Sequence, residues 1–305
     1  MVDLSTNLLG CPMKTPILGA SGTVGYGMEY GAMVDFNKVG GICGKGLTLH
    51  GQYGNEGERL HETPSGMMNS IGLQNPGVQH FIDVELPEML AQKAAFGTIA
   101  IANLGGHSEE DYLAGVALLN DSDVDIIELN ISCPNVKAGG MAYGIQAAAA
   151  QDITGKVRAI CRKPLLVKLS PQAEDITAIC KAVEAAGADG ISLTNTFQAC
   201  AIDLQKRKPV FNNIFAGLSG PAIRPIALRM VWQAVGAVNI PVVGLGGIAT
   251  GADALEFIMA GATAIQVGAA NFANPRAMET VADEMAVWMT ANGVKTLDEI
   301  RGCAR

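Results

Sequence analysis

Short apolar runs alternate with amphipathic stretches almost to the end of this chain, and that alternation limits the fold more than any other feature. The strand candidates are Ile17–Ala20, Gly41–Gly44, Thr98–Leu104, Asp125–Ile131, Leu165–Leu169, Gly190–Thr194, Val242–Leu245 and Ala264–Val267. Between the later ones lie helical patterns at Ser108–Leu119, Gly144–Arg162, Ala173–Ala186, Ala222–Val235 and Ala252–Ala260. Eight buried-looking strands with helices between them predict an α/β chain folded as a (β/α)8 TIM barrel rather than an open sheet. With no linker, low-complexity tract or repeat, residues 1–305 read as a single domain. Three segments exceed a minimal barrel. Leu4–Lys14 reads as a hairpin before the first strand, Leu47 to about Pro76 is rich in glycine and polar residues, and Gln198–Gly220 reads as a long loop after the sixth strand. In a barrel, loops that follow strands gather on the C-terminal face, where sites are built.

Composition narrows the function. The chain is 49% hydrophobic and 16% charged with 37 glycines, enough for a sizeable core with many tight turns. A net charge of -8 argues against nucleic-acid binding. No apolar run approaches the ~20 residues of a membrane span, and MVDLSTNLLG lacks a signal-peptide pattern, so the expectation is a cytoplasmic protein with no membrane association. The seven cysteines (11, 43, 133, 161, 180, 200 and 303) form no CxxC pair. A zinc ribbon, an iron–sulfur cluster held by this chain alone and a disulfide framework are therefore not expected. Cys161 and Cys180 sit in helical patterns as small core residues.

Cys133 differs. It stands in Glu128-Leu-Asn130-Ile-Ser-Cys133-Pro-Asn135, where an apolar run ends abruptly in two amides, a hydroxyl and a thiol. Proline pushes the preceding residue toward extended geometry, so this thiol is presented on a loop. Strands seven and eight end in Gly244-Leu-Gly246-Gly247-Ile-Ala-Thr-Gly251 and Gln266-Val-Gly268-Ala269-Ala-Asn271, the positions of the recurring barrel phosphate site. There glycine lets backbone N–H groups approach an anion, and a following helix N-terminus adds partial positive charge. The same residues match the dinucleotide fingerprint only formally, because no acid follows at the required distance. Lys45 and Lys168 stand at strand ends. For Lys168 three readings stay open: a buried salt bridge with Glu128, a partner for a reduced flavin, or a Schiff-base nucleophile. Asn69, Asn103, Asn130, Asn135 and Asn195 lie at strand or turn ends and together suit a planar ligand with amide edges and a carboxylate. His50, His61, His80 and His107 share no spacing, and no metal is assigned.

The chain closely resembles the class 1B dihydroorotate dehydrogenases. The resemblance rests on Glu62 to Gly77 with its Asn69-Ser-Ile-Gly-Leu-Gln-Asn core, Asn130-Ile-Ser-Cys133-Pro-Asn-Val-Lys137, Val167-Lys168-Leu-Ser-Pro171, Gly217-Leu-Ser-Gly-Pro-Ala-Ile-Arg-Pro225 and the two glycine loops. It implies an FMN-binding barrel that oxidises (S)-dihydroorotate to orotate in pyrimidine biosynthesis. Carried over by motif, FMN would touch Ser21, Lys45, Gly46, Asn103, Asn130, Lys168, Thr194, Gly220, Gly246, Gly247, Gly268 and Ala269. Substrate would meet Lys45, Asn69, Ser70, Ile71, Gly72, Leu73, Asn130, Asn195 and Thr196, with Cys133 as general base and Lys137 near its thiolate. Ala269 departs from the family, which commonly carries threonine there. A thiol of pKa near ~8.5 suits proton abstraction from C5 better than a serine hydroxyl. The resemblance further implies a homodimer joined to a separate subunit carrying FAD and a [2Fe–2S] cluster, a heterotetramer with NAD as final acceptor. Fumarate-linked class 1A enzymes, dihydropyrimidine dehydrogenase-like flavoenzymes and a flavin-free phosphate-binding lyase using Lys168 are the competing readings.

Overall fold

The computed structural model of the chain describes residues 2–132 and 140–305. Its centre is a closed barrel of eight parallel strands: β1 (Ile17–Gly19), β2 (Gly41–Cys43), β3 (Ile99–Leu104), β4 (Ile126–Asn130), β5 (Leu165–Lys168), β6 (Gly190–Leu193), β7 (Val242–Leu245) and β8 (Ala264–Val267). Each strand pairs with the next in sequence, and β8 returns to β1 through Ile265 opposite Ile17. All eight strand candidates form these staves, several one residue shorter than expected at an end.

Near-continuous apolar runs suit a parallel sheet covered on both faces. Along β4, alternation sends Ile126, Glu128 and Asn130 to one face and Ile127 and Leu129 to the other. The apolar residues accordingly sort into two cores. Ile127, Leu129, Val167 and Ile265 join the shell between strands and helices, whereas Leu18, Ile101, Ile126, Leu166 and Val243 fill the barrel interior. The expected hairpin forms from Thr6–Leu8 and Cys11–Met13, and its Leu8 and Met13 pack into that interior cluster.

Helices follow the strands at Leu86–Phe96, Glu109–Asn120, Ala147–Ile160, Ile176–Ala185, Arg224–Ala237, Gly251–Met259 and Ala277–Ala291. Asp175 caps the fourth of these by accepting from the N–H groups of Thr177 and Ala178. The pattern read as one helix over Gly144–Arg162 is two, Gly140–Ile145 and Ala147–Ile160, because Gln146 between them is extended. Between β1 and β2 the chain makes only short 3-10 turns, and the turn at Phe36–Lys38 is tied to the last helix through Lys38 and Asp283 at 2.7 Å.

The largest departure concerns the insertions. Gln198–Gly220 is not a simple loop. Phe197–Cys200 and Phe215–Ser219 pair antiparallel, and Phe215–Ser219 pairs on its other edge with Gly66–Asn69, which pairs with Leu60–Thr63. The insertions after β2 and β6 thus share one four-stranded sheet with its own small core of Met68, Phe211 and Ala216. The pairing partners lie far apart in sequence, so no local periodicity reveals them. Among the described residues no helix is long and apolar enough to cross a membrane.

Two glycines separate close packing from helix propensity. A Cβ at Gly41 would lie 2.4 Å from Ile99 Cγ1 and 2.8 Å from the Ile99 carbonyl oxygen, whereas one at Gly155 would meet nothing within 4 Å. Denaturant unfolding should find Gly41→Ala less stable by ~1–3 kcal/mol. Gly155→Ala, inside Ala147–Ile160, should be more stable by ~0.5–1 kcal/mol.

Candidate active site

A cavity of about 1020 Å³ opens at the C-terminal ends of the barrel strands, between them and the insertion sheet. Every stave contributes to its lining: Ser21 after β1, Lys45 and Gly46 after β2, Asn103 on β3, Asn130 on β4, Lys168 on β5, Thr194 and Asn195 after β6, Gly246 and Gly247 after β7, and Gln266 and Gly268 on or after β8. The insertions add Asn69, Ile71, Gly72, Leu73, Thr196 and Gly220, and Ala269 closes the rim.

The floor of this cavity rests on one buried carboxylate. Glu128 is fully buried, and an unpaired carboxylate there would cost several kcal/mol. Its Oε1 accepts from Ser192 Oγ at 2.7 Å and Gln266 Nε2 at 2.9 Å. Its Oε2 accepts from Asn103 Nδ2 at 2.5 Å and Cys43 Sγ at 3.1 Å, with Lys168 Nζ at 3.9 Å. Burial pushes the Glu128 carboxyl up, but the Lys168 charge and the donors Ser192, Cys43 and Asn103 outweigh it and hold it below the usual carboxylate range. Burial, together with the same carboxylate, raises the Cys43 thiol well above the ordinary value. Cys43 is therefore a neutral donor in the barrel and not a nucleophile.

The Lys168–Glu128 salt bridge expected from the sequence is present at 3.9 Å, and Lys168 also lines the cavity. Two polar atoms of lining residues, Thr194 Oγ1 and Gln266 Oε1, are buried without a hydrogen-bond partner. Such atoms are costly unless a ligand or water completes them.

Backbone geometry shapes the rim. Gly246 and Gly247 have φ of 127° and 74°, which side-chain-bearing residues rarely adopt. A Cβ on Gly247 would sit 2.8 Å from both the Arg224 amide nitrogen and the Gly220 carbonyl oxygen, so the loops after β6 and β7 touch there. The expected help from a following helix N-terminus is not available after β7. Helix Gly251–Met259 closes its own start with a Thr250–Asp253 capping box, and Asp253 Oδ2 accepts from the N–H groups of Ala249 and Thr250. A phosphate at this rim would depend on the glycine turns themselves.

Of the site residues expected from sequence, Ser70 is the one described residue that the structure keeps out of the cavity. It is buried, and its Oγ accepts from Asn55 Nδ2 at 3.0 Å and Asn213 Nδ2 at 3.2 Å, so it braces the insertion instead. Cys133, Asn135 and Lys137 lie outside the described residues. Sequence reasoning assigned no role to Gln266, although a glutamine inside an otherwise apolar strand was a visible signal. It likewise passed over Gly22, Thr23 and Ser219, which also line the cavity and which no local pattern distinguishes.

A family model described as dihydroorotate dehydrogenase matches residues 3–289. The chain is 50% identical over 302 residues to a protein of Petrotoga mobilis named dihydroorotate dehydrogenase B (NAD(+)), catalytic subunit, covering 99% of each chain. Proteins of the same name from Alkaliphilus metalliredigens and Bacteroides thetaiotaomicron are 48% and 47% identical, each covering 99% of this chain and respectively 98% and 99% of the relative.

The strained glycine turn provides a direct check on the rim. Gly247→Ala places a side chain at a positive φ and against two backbone atoms. Titration with a flavin nucleotide should show affinity at least about tenfold below wild type, and the ligand-free protein should also melt at a lower temperature, because the strain is present whether or not a ligand is bound.

Proposed function

The chain belongs to the dihydroorotate dehydrogenase family, and on that premise we propose that it oxidises (S)-dihydroorotate to orotate with bound FMN, in pyrimidine biosynthesis. The observation that carries this reading is the gathering of two lysines, five asparagines and two glycine turns, remote in sequence, around one cavity. The residues fit the flavin: the unpartnered Thr194 Oγ1 and Gln266 Oε1 offer hydrogen-bonding positions to a ring with carbonyl and N–H edges. Ser21, Lys45, Gly46, Asn103, Asn130, Lys168, Thr194 and Gly220 would hold it, with its phosphate on Gly246, Gly247, Gly268 and Ala269. Ala269 offers no hydroxyl, so its contribution is limited to the backbone N–H.

When bound, FMN supplies the acceptor for the hydride that leaves C6 of the substrate. Lys168 places a positive charge beside the cavity floor, where it stabilises negative charge arriving on a ligand. The loop Asn69 to Leu73, with Asn130, Asn195 and Thr196, orients the substrate ring, and Lys45 pairs with its carboxylate. Ser70 serves this loop from behind through Asn55 and Asn213. Cys133, which follows the buried Ser132 in the sequence, removes the C5 proton. The insertion sheet lines one side of the cavity through Leu60, Met67, Asn69 and Ser219.

The relatives named above are catalytic subunits of NAD(+)-linked enzymes, which supports a division of labour. We propose a homodimer of this chain joined to a second subunit that carries FAD and a [2Fe–2S] cluster and delivers electrons to NAD.

FMN-loaded protein should be yellow and should bleach when dihydroorotate is added without oxygen; a protein refractory to FMN would end this reading. Bleaching by dihydrouracil in preference to dihydroorotate would instead make the substrate a dihydropyrimidine without the carboxylate. Cys133→Ser should keep FMN and slow bleaching by ~10²–10⁴-fold. Isolation from the native source should recover iron and FAD with this chain, and finding neither would favour a fumarate-linked enzyme.

A further inference from the structure

The carbonyls of Ser70, Ile71, Gly72 and Leu73 are each engaged by the insertion after β2. Asn55 Nδ2 donates to the Ser70 carbonyl at 3.1 Å, and the Asn55 N–H donates to that of Ile71 at 2.9 Å. Gln52 Nε2 donates to the Gly72 carbonyl at 2.7 Å, and Asn75 Nδ2 donates to that of Leu73 at 2.6 Å. Among the described residues, no group accepts from the N–H of Ile71, Gly72 or Leu73, and all three residues line the cavity. Gln52 has a second partner outside the insertion. Its Oε1 lies 2.8 Å from Nε2 of His107, on the loop after β3.

A backbone carbonyl only accepts, so the Gly72 oxygen turns the NH2 of Gln52 toward the loop and leaves its Oε1 to His107. His107 Nε2 then carries the proton and donates. His107 is itself anchored, its backbone N–H donating to Asp111 Oδ2 at 3.0 Å. The link matters because Gly72 and Leu73 both have positive φ, 74° and 52°. Leucine rarely adopts that region and stays there only where its surroundings impose it. Turning the Gly72–Leu73 peptide over would take Leu73 out of that region, reverse the Leu73 N–H and break the bond from Gln52. Among the described residues Gln52 is the one partner of the Gly72 carbonyl, because Asn55 and Asn75 hold its neighbours instead.

We propose that Gln52, backed by His107, is a positioning residue for the substrate: it holds the Gly72–Leu73 peptide so that the Leu73 N–H stays available to a ligand in the cavity. This rests on the dihydroorotate reading given above. The effect separates by ligand, because the loop Asn69 to Leu73 is assigned to the substrate and contributes nothing to the assigned FMN contacts. His107 does not line the cavity, so it reaches a ligand only through Gln52. A direct contact between Gln52 and the ligand would not depend on His107; a positioning role does.

The test uses the full chain, with orotate affinity read from the absorption spectrum of the FMN-loaded protein and FMN affinity from titration of the FMN-free protein. Gln52→Met keeps the side-chain length and removes both hydrogen bonds. Orotate affinity should fall about tenfold while FMN affinity stays within about twofold of wild type. His107→Ala should lower orotate affinity about fivefold. His107→Gln, whose amide nitrogen reaches the place of Nε2, should stay within about twofold of wild type. In the Gln52→Met background, His107→Ala should cost nothing further. Wild-type orotate affinity in Gln52→Met, a His107→Ala loss that persists in that background, or an equal loss of FMN affinity overturns the proposal and leaves the dihydroorotate reading standing. If Gln52→Met does not fold, the His107 pair decides: loss in His107→Ala with retention in His107→Gln supports the proposal, and any other pattern overturns it. Wild-type protein that binds FMN but not orotate overturns the substrate reading and this proposal with it.

Discussion

A carboxylate sealed inside a parallel barrel is tolerable only where donors surround it, and the interior of this protein is arranged around that requirement at Glu128. Its two oxygens are met from β2, β3, β5, β6 and β8, so five of the other seven staves are tied to β4 through one side chain. The interior is thereby layered. Apolar residues such as Leu18, Ile101, Ile126 and Leu166 pack on one side, with the hairpin's Leu8 and Met13 in the same cluster. On the other side three of the five polar partners of Glu128 become the floor of a cavity. The same contacts that make the buried charge affordable also present Asn103, Lys168 and Gln266 to a ligand.

The insertions complete the site from outside. Because Gly66–Asn69 pairs with Phe215–Ser219, the loop that follows Asn69 is carried on a sheet and not on a free strand of chain. Asn69 Nδ2 donates to the Gly217 carbonyl oxygen at 3.3 Å, which joins the two insertions at the cavity edge. Further along the loop, Gly72 and Leu73 adopt positive φ, and the Leu73 carbonyl accepts from Asn75 Nδ2 at 2.6 Å. The cavity is therefore bounded by a rigid floor and a braced rim.

Much of this was legible in the residue order. The eight staves follow from apolar runs of the right length, and the candidate residues at their ends follow from polar side chains placed where those runs stop. Lys168 is the clearest case, since a lysine in a buried strand requires an anion and Glu128 is that anion. Three features were not legible. The shared insertion sheet depends on pairing between segments far apart in sequence. Ser70 sits in a motif whose neighbours line the cavity, yet its side chain points away because Asn55 and Asn213 reach it from behind. Gln266 looked like part of a glycine loop, and its role emerges only beside Glu128.

The sequence by itself determined the barrel, its stave order and the set of polar side chains delivered to one face, because strand periodicity and the parallel crossover leave little freedom once the apolar runs are set. It also carried the family, through motifs dense enough to be unambiguous together. Tertiary structure alone decided which of those side chains converge, which way each amide faces, and where the helix after β7 spends its N-terminus. Those are choices between nearly isosteric or locally equivalent states. They are settled by the partners each group meets in the folded chain: a buried carboxylate that only accepts for Asn103 and Gln266, and backbone N–H groups for Asn130 and Asn195.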